Sequence, residues 1–118
     1  MFVKQDEKET NAVPGRECGA LKLSEAIRMG AKLRPACTGV WFQNGRSCAL
    51  GAAFESYYGR VADMPKGFPS DQDNALLGKA FPVLRVQRRD TLYGSIFKKN
   101  DGGESREAIA DWLESKGL

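Results

Sequence analysis

Asn44-Gly45 stands between two short runs of β-prone residues, Gly39-Val40-Trp41-Phe42-Gln43 before it and Arg46-Ser47-Cys48 after it. A two-residue type I′ turn needs positive φ at both central residues, and Asn-Gly meets that need most readily. The spacing predicts a hairpin over about 39–48, in which Gln43 faces Arg46 and Trp41 faces Cys48. The returning strand has to be short, because a helix begins at once. Ser47 is placed to cap that helix. Leu50, Ala53, Phe54 and Tyr57 follow at helical spacing, and Gly59 suits the left-handed residue that ends it.

The rest of the chain reads as short helices. Leu23 to Leu33 carries a rough apolar stripe (Leu23, Ala26, Ile27, Gly30, Leu33), with Ser24 as the expected N-cap and Glu25 in the first turn. Arg34-Pro35 disfavours any continuation. Gly30 inside this helix costs about 1 kcal/mol relative to alanine, a cost that close approach of a second backbone would explain. Asp71 or Asp73 can cap a helix through Leu76 and Leu77 that Pro82 stops. Residues 83–88 read as a strand or an irregular connection. Asp90 caps a helix with Leu92, Ile96 and Phe97, which Asn100-Asp101-Gly102-Gly103 ends. Ser105 caps the last helix, whose apolar face is Ala108, Ile109, Trp112 and Leu113.

Residues 1–20 are polar and follow neither period. They read as a flexible N-terminal arm with room for a short strand at Phe2-Val3. The expectation is therefore an α+β fold, mainly α. Four or five short helices surround one core, a single β-hairpin packs on them, and residues 21–118 form one globular domain. Trp41, Leu50, Phe54, Leu92, Ile96, Phe97, Ile109, Trp112 and Leu113 should supply most of the core.

Composition removes several chemistries. The 118 residues include no histidine, so neither a Cys-His nor a Ser-His dyad can form within this chain. Cys18, Cys37 and Cys48 contain no Cys-x-x-Cys, and a zinc site would need all three thiols plus a carboxylate. No Gly-rich phosphate loop follows a strand. No metal and no cofactor are expected. An odd number of cysteines fits a reducing compartment. The start of the chain lacks the apolar stretch of a secretory signal, and no apolar run is long enough to span a bilayer. The expected location is cytoplasmic, with no membrane partner.

Four groups of residues could carry function. Cys48 falls at a helix start, where unpaired amides favour a thiolate, and Arg46 stands nearby. The structural alternative is a small buried residue filling a corner beside Trp41. Arg85, Arg88, Arg89, Lys98 and Lys99 make one basic stretch, which could follow a phosphate backbone or simply form a solvated face. An acidic tail follows it (Asp101, Glu104, Glu107, Asp111, Glu114), and the two stretches could attract one another. Asn100 to Ser105 holds oxygen ligands between two helices but misses the EF-hand spacing, and the same residues are good helix caps. That helix pair also resembles a helix-turn-helix, with Glu107, Asp111 and Glu114 where a reading helix would meet phosphates.

Three segments together resemble a wider group. They are Leu23-Ser24-Glu25-Ala26-Ile27-Arg28 with Gly30-Ala31, then Cys48-Ala49-Leu50-Gly51-Ala52-Ala53, then Asn100-Asp101 with Ser105-Arg106-Glu107-Ala108-Ile109-Ala110-Asp111-Trp112-Leu113. This pattern is similar to that of short bacterial and phage-encoded proteins of unknown function, which share a Cys-x-Leu-Gly-Ala helix, an Asn-Asp turn and a terminal Ile-Ala-Asp-Trp helix. Residues 1–20 are extra to that pattern, and the Asn-Asp turn lacks the aromatic or histidine-rich neighbours of many such proteins. The resemblance implies a bacterial, prophage or phage setting and no particular activity.

Three functional classes follow. The leading one is a non-catalytic accessory factor that binds a protein partner. The second is a nucleic-acid-binding module using Arg85, Arg88, Arg89, Lys98 and Lys99. The third is a cysteine-dependent enzyme or redox sensor at Cys48.

Overall fold

The structure, a computed structural model, describes residues 21–85 and 92–118. Within them the chain is α+β and mainly α: five helices and one two-stranded hairpin. The expected arm at 1–20 with its strand at Phe2-Val3, the connection beyond Arg85 and the Asp90 cap lie outside the described residues.

The hairpin forms in the expected register. Strands β1 (Phe42–Gln43) and β2 (Arg46–Ser47) pair antiparallel, with Phe42 opposite Ser47 and Gln43 opposite Arg46. Asn44 and Gly45 take φ of 51° and 76°, the left-handed pair of a type I′ turn. The Cys48 N–H donates to the Trp41 carbonyl at 2.9 Å. Residues 35–37 run parallel to β2 on its other side: the Ser47 N–H donates to the Pro35 carbonyl at 2.9 Å, and the Cys37 N–H donates to the Ser47 carbonyl at 3.0 Å.

Helices α1 (Leu23–Ala31) and α2 (Ala49–Tyr58) form the centre. They cross where Gly30 meets Ala52. A Cβ on Gly30 would overlap the Ala52 carbonyl, so the close backbone approach that Gly30 suggested is what the fold contains. Gly51 likewise admits the Trp41 carbonyl, which seats the hairpin on α2. The Ser56 hydroxyl donates to the Ala26 carbonyl at 2.7 Å and fastens the crossing further along.

Helix α5 (Arg106–Ser115) packs on α1, α3 (Asp71–Ala80) contacts α2, and α4 (Leu92–Asp101) lies beside α2 and α5. A 3-10 turn at Pro82–Arg85, neither strand nor irregular, follows α3 and buries Leu84. Pro82 does close α3, as expected.

Three caps differ from expectation. Lys22, not Ser24, precedes α1; its N–H donates to Glu25 Oε1 at 3.1 Å, while Ser24 is buried in the first turn and donates its N–H to the Leu118 carbonyl at 3.2 Å. Cys48, not Ser47, caps α2, because Ser47 still belongs to β2. Ser70, not Asp71 or Asp73, caps α3 by accepting from the Asp73 N–H at 3.1 Å. Ser105 caps α5 as expected, accepting from the Ala108 N–H at 3.0 Å.

The core holds Trp41, Leu50, Phe54, Ile96, Ile109 and Leu113 fully buried, as expected. Leu92, Phe97 and Trp112 are only half-buried and pack at its margin. Leu23, Ile27, Cys37, Leu77, Phe81 and Leu84 are buried with them. Leu33 is exposed rather than part of the α1 stripe, because the helix ends at Ala31 before the last turn can bring it inward.

Candidate functional site

The corner between hairpin and α2 is where the first chemistry was expected. Cys48 is fully buried there, and its Sγ accepts the Gly51 N–H at 3.5 Å. Burial pushes its thiol up to about 11, outweighing the amides of Gly51 and Leu50 that pull it down. Arg46 does not reverse this: it is exposed, and its guanidinium donates to the Ala36 carbonyl at 3.4 Å. The helix start therefore holds a neutral thiol as a weak cap, with the helix laid over it.

Polar side chains around this corner bind structure to structure. Buried Asn100 accepts the Ala49 N–H at 2.9 Å and donates to the Cys37 carbonyl at 2.9 Å, joining the end of α4 to the start of α2. Asp101 accepts the Gly39 N–H at 2.8 Å. Arg106, 7% exposed, donates to the Ser47 hydroxyl at 3.0 Å and to the Ala31 carbonyl at 3.3 Å, where the negative end of α1 offsets its charge. The Asn100–Ser105 oxygens are thus employed in capping and bridging. Among the described residues no group of three or more Cys, Asp or Glu side chains converges on a metal position.

The basic stretch is only partly visible. Arg88 and Arg89 lie outside the described residues, as does the side chain of Arg85. Lys98 and Lys99 sit in the last turn of α4. Lys98 is exposed. Lys99 lies 3.5 Å from Glu104 and over the Trp112 ring at 4.5 Å, and Lys116 approaches the same ring at 5.0 Å. The acidic face of α5 finds its partner elsewhere. Arg28 of α1 reaches both Asp111 and Glu114 at 2.6 Å, so two of the acids expected on a reading helix are occupied against α1.

A different feature stands out on the surface. Phe68 is 68% exposed, at the tip of the connection between α2 and α3, and Val61, at the start of the same connection, is exposed as well. That connection is pinned from within. Asp73, buried in the first turn of α3, takes two hydrogen bonds from the Arg60 guanidinium, at 2.8 and 3.1 Å, and one from the Asp63 N–H at 2.7 Å. Arg60 also donates to the Val61 carbonyl at 3.0 Å and lies over the Phe54 ring at 5.1 Å. The Ser70 N–H donates to the Asp63 carbonyl at 2.9 Å. The hydrogen bonds from Arg60 hold the Asp73 carboxyl below the usual carboxylate range. The tip itself turns at Gly67, whose φ of 84° suits glycine.

The sequence gives Phe68 no direction, because an aromatic in a loop has no period to declare one. Its one available signal was its place between Gly67 and Pro69, two residues that keep it out of any helix. Among the described residues, Met29 and Leu33, near the end of α1, are the other large apolar side chains left open with Phe68 and Val61. Among the described residues, no helix is long and apolar enough to cross a membrane. No family model, no curated protein and no solved structure matches the chain.

Proposed function

We propose that this protein is a non-catalytic interaction factor that inserts Phe68 into an apolar pocket of a protein partner. The observation that carries the reading is an aromatic ring held in water by a loop fixed through Arg60, Asp63 and Asp73. Full burial of such a side chain is worth about 1.5–3 kcal/mol to an association. A loop already fixed in place forfeits less entropy on binding. Aromatic side chains, phenylalanine included, are also enriched at protein interfaces.

The bacterial or phage setting belongs to the same reading and rests on the likeness of the three segments named above. A cytoplasmic location is consistent with an odd number of cysteines. The test is affinity capture from lysate of the producing cell, with wild type and Phe68→Ala side by side. A protein retained by wild type and lost with Phe68→Ala, at unchanged circular dichroism, supports the reading. Identical recoveries from both would sink it.

A second reading is supported by the gathering of Lys99 and Lys116 over Trp112, with Lys98 on the same helix turn as Lys99. An indole ringed by ammonium groups suits a single-stranded nucleic acid, with phosphates on the lysines. Anisotropy titration with single-stranded and duplex oligonucleotides tests it. Salt-sensitive binding that weakens with Lys98→Ala and Lys99→Ala supports this reading, and no binding at micromolar protein removes it.

A further inference from the structure

The parallel bridge between residues 35–37 and β2 has a chemical consequence. Ala36 and Ser47 are the bridged pair, fixed by hydrogen bonds of 2.9 and 3.0 Å on either side. In a parallel pair the residues one step further along also stand side by side, and they leave the same face of the extended backbone. Those residues are Cys37 and Cys48.

Two further contacts bring the Cys37 thiol and the Cys48 backbone to one atom. The Cys37 Sγ donates to the Val40 carbonyl at 3.5 Å and lies 4.0 Å from the Trp41 carbonyl oxygen. The Cys48 N–H donates to that same Trp41 oxygen at 2.9 Å. Both cysteines are reduced in this structure and both face the core. Cys37, at 9% exposed, is the outer of the two; Cys48 is fully enclosed.

We propose that Cys37 and Cys48 form an oxidation site, in which a hydroperoxide converts the pair to a disulfide that ties the 35–37 segment to the start of α2. In the first step the Cys37 thiolate attacks the outer oxygen of the hydroperoxide. The S–O bond forms, the O–O bond breaks, and the alcohol (or water, from hydrogen peroxide) leaves with the proton. In the second step the Cys48 sulfur attacks the Cys37 sulfenic acid. The S–S bond forms, the S–O bond breaks, and water leaves with the Cys48 proton. The peroxide is reduced and the two thiols are oxidised. Burial raises both thiols, so reaction is slow and sets in when peroxide is sustained. The product replaces the neutral thiol that caps α2 with a covalent link across the corner.

The site is tested on the full-length wild-type chain. The folded protein and a urea-unfolded sample are treated with hydrogen peroxide, alkylated, digested without reduction and mapped by mass spectrometry. The expected result is a Cys37–Cys48 cross-linked peptide as the dominant product from the folded chain, reversed by dithiothreitol. The unfolded chain should distribute its links among all three cysteines. A folded chain that keeps Cys37 and Cys48 as free thiols, that stops at Cys37 sulfinic acid, or that links through Cys18 as often as the unfolded chain does would overturn the proposal.

Discussion

Ala52 lies against Gly30 so closely that its carbonyl fills the space a Gly30 side chain would need. The contact sets the α1–α2 crossing, and it gives the sign of a mutation. In an isolated helix Gly→Ala stabilises by about 1 kcal/mol. Here Gly30→Ala should destabilise by about 2–3 kcal/mol, because overpacking forces the two backbones apart. A urea unfolding curve checks it: the midpoint should fall at an unchanged slope.

Asn100 joins two elements distant in sequence through the Ala49 N–H and the Cys37 carbonyl. Asn100→Ala leaves both groups buried without that partner. Each such loss is worth about 1–3 kcal/mol, so the variant should rank among the more destabilised single substitutions. Thermal denaturation of Asn100→Ala beside Lys98→Ala, an exposed neighbour, separates this from a general effect on α4.

Asp73 gives a pH dependence with a definite sign. Its folded-state carboxyl titrates lower than in the unfolded chain, first because Arg60 donates to it. The stability this supplies is present above the ordinary carboxylate range and is lost as pH falls through the folded value. Asp73→Asn should therefore cost about 2 kcal/mol near neutrality and flatten the acid limb of a stability–pH curve below about pH 4. The same variant should loosen the loop that presents Phe68, seen as faster amide exchange at residues 61–68.

Cys48 should resist an added alkylating agent in the folded state. With its thiol pushed up to about 11, only ~0.1% of it is thiolate at pH 8, and the group is enclosed as well. Iodoacetamide at pH 8 should leave Cys48 unlabelled in the folded protein and label it quickly in urea. Rapid, selective labelling of folded Cys48 would restore the reactive reading.

The sequence was most legible where a residue type leaves the backbone little choice. Asn44-Gly45 gave the hairpin and its register, Gly59 ended α2, and Pro82 stopped α3. Gly30 announced a close crossing without saying with what. The caps were legible only to within a residue or two. Ser24 lies buried inside the first turn of α1, past the capping position. Ser47 and Asp73 have capping chemistry, but tertiary partners claim it: Arg106 takes the Ser47 hydroxyl and Arg60 takes the Asp73 carboxylate. Cys48 and Ser70 cap α2 and α3 in their place. The acidic face of α5 has the same explanation. Its partner, Arg28, is 83 residues from Asp111, a distance that no local charge pattern reveals. Phe68 was invisible for the complementary reason, since a loop residue is exposed by where the loop is pinned, and Arg60 and Asp73 do the pinning.

The most direct measurement of the interaction reading is site-specific photo-crosslinking with a benzophenone amino acid placed at position 68 and, as a control, at position 33, which is also exposed. The expected result is one discrete protein adduct from position 68 and none of the same mass from position 33. No adduct from position 68, or the same adduct from both positions, would contradict the assignment of Phe68 as the anchor.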